Sequence, residues 1–261
     1  MRSVESPPGG RRAGVLAVAL VVGAFTAGAY LLGIRLLPPA PEGGGATRTA
    51  DAPYQAEVEE GLGAAVAILI DTSGSMADHA PGDMRPKYDV ALEALQHTLD
   101  ATDAFAARRP DFPIKIGIQR FSSDVWPVLP MQGYDRARVQ AALAAIPRPG
   151  GGTAIGSALR TARPELYRAG TFRKYILVLT DGENTSGVDP ERVARDIYRK
   201  SEGVVQIFFV AFDTSPEKFG FLKEVGGEVL SAGNGVELRA ALDGIYQGRI
   251  LAEQVDVEPT R

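Results

Sequence analysis

Three stretches of the chain are apolar almost without interruption: residues 64–70 (AAVAILI), 175–180 (YILVLT) and 204–212 (VVQIFFVAF). A strand with one wet face alternates polar and apolar residues; these do not, so each has to be covered on both faces. Between them lie segments of helical period: 88–107, with Val90, Leu92, Leu95 and Leu99 on one side, then 154–166 and 190–200. Strands that alternate with helices imply a mostly parallel, doubly wound sheet, and right-handed crossovers put helices on both faces. Residues 114–121 and 125–131 read as a hairpin turned at Ser122-Ser123-Asp124, and Pro127 and Pro130, which donate no ladder hydrogen bond, place its second strand at a sheet edge. Helices at 135–146, 216–225 and 236–246 and a short strand at 228–232 complete the pattern. The expectation is an α/β, Rossmann-like domain with six strands over residues 63–250, free of internal repeats.

Composition narrows the chemistry. A net charge of −4 argues against a nucleic-acid partner, because no basic excess neutralises phosphates. There is no cysteine, which removes disulfides, thiolate zinc sites and thiol catalysis, and only two histidines, His79 and His97, are present.

Residues 13–34 (AGVLAVALVVGAFTAGAYLLGI) carry no charge. At ~1.5 Å per residue such a helix is ~33 Å long, enough for a ~30 Å hydrocarbon layer. A cleaved signal peptide is the rival reading, with Ala27-Gly28-Ala29 as its cleavage site, but apolar residues continue through Tyr30, Leu31, Leu32 and Ile34. Arg11-Arg12 gives only a weak twin-arginine pattern. The sequence therefore predicts a cytoplasmic N-terminus (1–12), one transmembrane helix (13–37), a Pro/Gly-rich spacer (38–62), the folded domain (63–250) and a polar tail (251–261). Arg2, Arg11 and Arg12 precede the span against Arg35 after it, so the domain is expected outside the cytoplasm, in the periplasm of a Gram-negative cell.

In open sheets of this kind ligands bind at the carboxyl ends of the strands, where strand order reverses. Asp71-Thr72-Ser73-Gly74-Ser75 follows the first strand and Asp181-Gly182-Glu183 follows YILVLT, while Gly150-Gly151-Gly152-Thr153 precedes the helix that leads into that strand. Asp71, Ser73, Ser75, Thr153 and Asp181 offer two carboxylates and three hydroxyls, hard oxygens that suit Mg²⁺, Ca²⁺ or Mn²⁺. An ion held by hydroxyls with carboxylates behind them stays electrophilic and attracts one more anionic oxygen from outside.

This constellation resembles the von Willebrand factor A domain with its metal-ion-dependent adhesion site: D-x-S-x-S after the first strand, a Thr in a second loop and an Asp ending the fourth strand. The resemblance covers about residues 63–246. It implies a sheet order of 3-2-1-4-5-6 with the third strand an antiparallel edge. Ser73, Ser75 and Thr153 are implied as direct or switchable ligands, with Asp71 and Asp181 acting largely through water. It extends to bacterial, membrane-anchored members that work beside MoxR-type AAA+ ATPases. Those often carry a second span after the domain, whereas the expectation here is a polar tail.

Other chemistries fit less well. The glycine loop lacks the lysine of a P-loop. An Asp-nucleophile phosphatase needs a second acid where Ser73 stands, and a serine nucleophile would need His79 as base. Residues 77–86 (ADHAPGDMRP) lengthen the path from the motif to the first helix; Asp78, His79 or Asp83 either line the cleft or belong to a solvated loop. Asn184-Thr185-Ser186 reads as a turn in spite of its sequon, Trp126 as packing and His97 as a surface residue. The expected function is binding of a protein partner through a metal-bridged Asp or Glu carboxylate, with no catalysis and no small-molecule substrate. A metal-dependent hydrolase and a purely structural ion are the alternatives.

Overall fold

The computed structural model of the protein describes residues 58–252. The expected anchor and most of the spacer lie outside the described residues. Among the described residues no helix is long and apolar enough to cross a membrane.

Six strands, β1 (Gly61–Asp71), β2 (Ile114–Phe121), β3 (Val125–Gly133), β4 (Thr171–Thr180), β5 (Val205–Phe212) and β6 (Glu228–Ala232), form one sheet in the order β3-β2-β1-β4-β5-β6. Only the β2–β3 pair is antiparallel. Among the described residues four α-helices lie in the connections, α1 (Lys87–Arg108), α2 (Arg136–Ala144), α3 (Ile155–Tyr167) and α4 (Pro190–Ser201), and a fifth, α5 (Gly235–Ile245), follows β6. The chain order reverses at β1, whose neighbours are β2 and β4, so the carboxyl ends of β1 and β4 open a crevice there.

The period-2 geometry of β1 sorts its side chains onto two cores. Val66, Ile68 and Ile70 face a layer that includes Val90, Leu95 and Leu99 of α1, Leu143 of α2 and Leu238 and Leu242 of α5. Ala65, Ala67 and Leu69 face α3, α4 and the segment that follows β5. Fully burying a Leu, Ile or Phe side chain stabilises by ~1.5–3 kcal/mol, which is why a strand of this composition settles in the middle of the sheet. Side-chain oxygens fix several helix starts. Asp189 accepts the amide of Glu191 at the start of α4, and Asn234 accepts those of Val236 and Glu237 at the start of α5.

Two expectations need correction. Residues 216–225 were expected as an α-helix; Pro216–Val225 is instead 3₁₀ in character, with a non-helical break at Phe219. Gly220, with its high backbone freedom, follows that break, and Gly226 at φ 64° ends the segment. β4 also begins earlier than residue 175, running through the charged Arg173 and Lys174. Lys174 is fully buried, and its ammonium is held by the Glu60 carboxylate and the Thr171 carbonyl, so the strand continues where polarity alone suggests a boundary.

Candidate functional site

Asp71 is the last residue of β1 and has no exposed surface. Both carboxylate oxygens are taken by donors: the Ser73 amide reaches Oδ1 at 2.7 Å and the Thr180 hydroxyl reaches Oδ2 at 2.6 Å. The first contact closes an Asx turn at the end of β1, with Ser73 itself still extended (φ −68°, ψ 169°); the second ties β1 to β4. Burial pushes the Asp71 carboxyl up to about 6, against the hydrogen bonds from Thr180 and Ser73, which favour its charged form.

From Ser73 the hydroxyls run in series toward β4. Ser73 Oγ lies 3.2 Å from Ser75 Oγ, and Ser75 Oγ donates to Asp181 Oδ1 at 2.7 Å. Ser73 and Asp181 are buried, whereas Ser75 is exposed at the mouth of the crevice.

Thr153 reaches the same place through main-chain bonds. Gly74 N–H donates to the Gly151 carbonyl (3.0 Å), Gly150 N–H to the Thr72 carbonyl (2.8 Å), and Ala154 N–H to the Ser122 carbonyl (2.8 Å). The 184–186 loop clasps Thr153 from the other side. The Thr153 amide donates to Thr185 Oγ1 at 2.8 Å, and the Thr153 carbonyl accepts from the Thr185 and Ser186 amides. Two glycines are required here. Gly151 has φ +89°, and a Cβ on Gly152 would lie 2.8 Å from Ser186 Oγ and 3.0 Å from Thr185 Oγ1.

All five candidate residues thus sit at the carboxyl ends of β1 and β4 or on the loop bonded to them. Among the described residues no group of three or more His, Cys, Asp or Glu side chains converges, so a cation here depends on hydroxyl oxygens. The donor set fits one of the hard divalent class. Neighbouring ligands of an octahedral ion at ~2.1 Å lie ~3.0 Å apart, close to the 3.2 Å between the two serine oxygens.

The sequence reading missed two residues. Lys87, at the start of α1, places its Nζ 3.0 Å from Asp181 Oδ2 and 2.9 Å from Asp213 Oδ2. Burial works against the ammonium, but its bonds to Asp213 and Asp181 outweigh that and its pKa is raised. Asp213 closes β5 in the left-handed region, φ 51°. A signal for it was present, since Asp213-Thr214-Ser215 after β5 repeats the Asp71-Thr72-Ser73 that ends β1. The 77–86 loop belongs to the solvated alternative. Asp78 and His79 are exposed, and Asp83 is bound to Arg85 at 2.7 Å. His97 is exposed, 3.6 Å from Asp243, and Trp126 packs under Arg120.

Comparisons with known proteins agree with this fold. The minor pilin PilB of Streptococcus sanguinis superposes with a TM-score of 0.59 at 15% identity, over 74% of this chain and 63% of the pilin. An aerotolerance-related membrane protein of Bacteroides fragilis gives 0.51 at 21% identity, over 69% of this chain and 97% of that one. Proximal thread matrix protein 1 from the mussel byssus, solved with a zinc-occupied MIDAS motif, gives 0.55 at 20% identity, over 71% and 47%. The chain therefore spans less than two thirds of the pilin and of the mussel protein. No curated protein matches the sequence directly. The family model of the von Willebrand factor type A domain matches residues 65–230, well over half of the chain and every strand-end loop described above, and the protein belongs to that family.

Proposed function

We propose that the domain is a membrane-tethered binding module that holds a divalent cation, Mg²⁺ or else Ca²⁺ or Mn²⁺, and takes a carboxylate of a protein partner onto it. The observation that carries this reading is the series Ser73 Oγ, Ser75 Oγ, Asp181 Oδ1, spaced 3.2 and 2.7 Å, with the Thr153 loop bonded onto it. Ser73, Ser75 and Thr153 would hold the ion, with Asp71 and Asp181 behind them. The bound cation supplies an electrophilic position open to one more oxygen. Asp71 orients the Ser73 turn and Asp181 orients the Ser75 hydroxyl; neither is free to act as a general base.

Of the other acids beside the crevice, Asp213 is 2.9 Å from Lys87 and Glu183 is 3.2 Å from Lys218. The nearby carboxylates are engaged in holding the site together, which favours binding over hydrolysis. The likeness to a mussel protein with a zinc-occupied motif adds support for a cation, and the likeness to a bacterial membrane protein supports the tether at 13–37.

Mn²⁺ binding followed by electron paramagnetic resonance, with a pull-down from membranes in Mg²⁺ and in EDTA, tests the proposal. Asp71→Ala and Ser73→Ala are expected to lose the ion and the partner together while keeping the fold. Folded variants that capture the same partner in EDTA would sink the reading. A C-terminal reporter active only in the cytoplasm would overturn the extracytoplasmic placement.

A further inference from the structure

The two flanks of the crevice differ in how their cations are used. On the β5 flank, Lys87 is neutralised by Asp181 and Asp213, and Lys218 by Glu183. On the β2–β3 flank, Arg120 and Arg148 carry guanidiniums with no carboxylate partner among the described residues. Both are rooted close to the metal loop. Arg120 precedes Phe121, whose carbonyl accepts the Thr72 amide at 2.7 Å and the Thr72 hydroxyl at 3.0 Å. Arg148 lies two residues before Gly150, whose amide donates to the Thr72 carbonyl at 2.8 Å. Thr72 itself stands between Asp71 and Ser73. The Tyr88 phenol donates to the Ile146 carbonyl at 2.6 Å, which ties α1 to the segment that carries Arg148.

Each is prepared for a ligand. The Arg120 guanidinium carbon stacks 3.9 Å from the centre of the Trp126 ring. Stacking engages the face of the group and leaves its in-plane N–H donors free for a carboxylate. Arg148 sits between Pro147 and Pro149, which restrict the backbone on both sides, so little chain freedom is lost when it is engaged.

We infer that the partner segment carries a second acidic side chain beside the one that reaches the cation, and that Arg120 and Arg148 receive it against the wall of Trp126. This deepens the proposed function and rests on it. The surface then selects paired acids on one peptide, where the metal alone would accept any exposed carboxylate.

Fluorescein-labelled Gly/Ser peptides test this: one with a single Asp, the others with a Glu added at increasing spacing from that Asp. Each is titrated by anisotropy against the full chain in detergent, in millimolar Mg²⁺ and in EDTA. At least one spacing is expected to bind about tenfold tighter than the single-acid peptide. That gain disappears in Arg120→Gln/Arg148→Gln while Mn²⁺ binding is unchanged; Arg148→Gln alone serves if the double variant does not fold. Metal-dependent binding of the single-acid peptide with no gain at any spacing, or a gain that survives in the variants, overturns this inference and leaves the proposed function standing. Binding of no peptide, or equal binding in EDTA, overturns both.

Discussion

Replacing Lys87 by methionine isolates the charge balance of the crevice. Methionine keeps most of the apolar stem and removes the ammonium, which lies 3.0 Å from Asp181 and 2.9 Å from Asp213. The Lys87 side chain is 9% exposed and that of Asp181 not at all, so Asp181 is left as a buried charge without its cation. Breaking a buried pair from one side costs ~3–5 kcal/mol. Asp213, with its side chain 37% exposed, rehydrates and adds little, which favours the lower end of that range, ~3 kcal/mol. For a domain of this size that is a fall in Tm of ~6–12 °C.

The decisive comparison is the same pair of melts in EDTA and in millimolar Mg²⁺. A divalent charge beside Asp181 Oδ1 replaces the missing ammonium, so the deficit in Mg²⁺ is expected to shrink to ~1 kcal/mol or less. Asp181→Asn in a double-mutant cycle should then show coupling of ~1–3 kcal/mol with Lys87→Met in EDTA. A variant that melts within ~2 °C of the wild type in EDTA refutes the buried-pair argument. A deficit identical in both buffers refutes the presence of a cation next to Asp181.

Thr180→Val keeps the shape of the side chain and removes the donor at 2.6 Å from Asp71 Oδ2; a loss of ~1–3 kcal/mol in urea unfolding is expected, with weaker Mn²⁺ binding. Gly156→Ala places a methyl group 2.1 Å from the Val188 carbonyl oxygen, a main-chain atom with no room to retreat, so denaturation should show ~3 kcal/mol or more of destabilisation. Asp103 accepts from Tyr134 Oη at 2.6 Å and pairs with Arg136, contacts that hold its carboxyl below the usual range. Its folded pKa is depressed, so its contribution is present above the unfolded value near ~4 and is lost as pH falls through the folded one. Asp103→Asn should cost about 1 kcal/mol at pH 7, after allowance for exposure, and flatten the acid limb of the pH–stability curve.

The sheet was legible because strands buried on both faces read as short, uninterrupted apolar runs, too short to cross a membrane and bounded by polar turns. Residues 64–70, 175–180 and 204–212 are such runs, and the observed order places β1, β4 and β5 side by side in the interior. Asp71, Ser73, Ser75 and Asp181 were legible because they follow two of those runs and Thr153 because it follows three glycines, whereas Asp213, after the third run, was passed over. Lys87 was not legible. Nothing within residues 77–87 indicates that its ammonium will meet the carboxylates that follow β4 and β5, since that contact exists only once α1 packs across the ends of those two strands. The failure at 216–225 has a local cause: the apolar spacing of Phe219, Leu222 and Val225 suits a helical face, and Gly220 lets the backbone tighten within it. Lys174 marks the reverse case, a charge that reads as a boundary until Glu60, distant in sequence, supplies its counterion.

The crevice loops are stitched together by amides and carbonyls: Thr72 to Phe121, Gly150 to Thr72, Gly74 to Gly151, Thr185 to Thr153. A point mutation exchanges a side chain and, proline apart, leaves those groups in place. Such a frame tolerates sequence drift, which agrees with its superposition on proteins that share 15% to 21% of its residues. If Arg120, Trp126 and Arg148 form the recognition surface inferred above, they can be exchanged as a cassette, and new partner preferences grafted there, without rebuilding the scaffold.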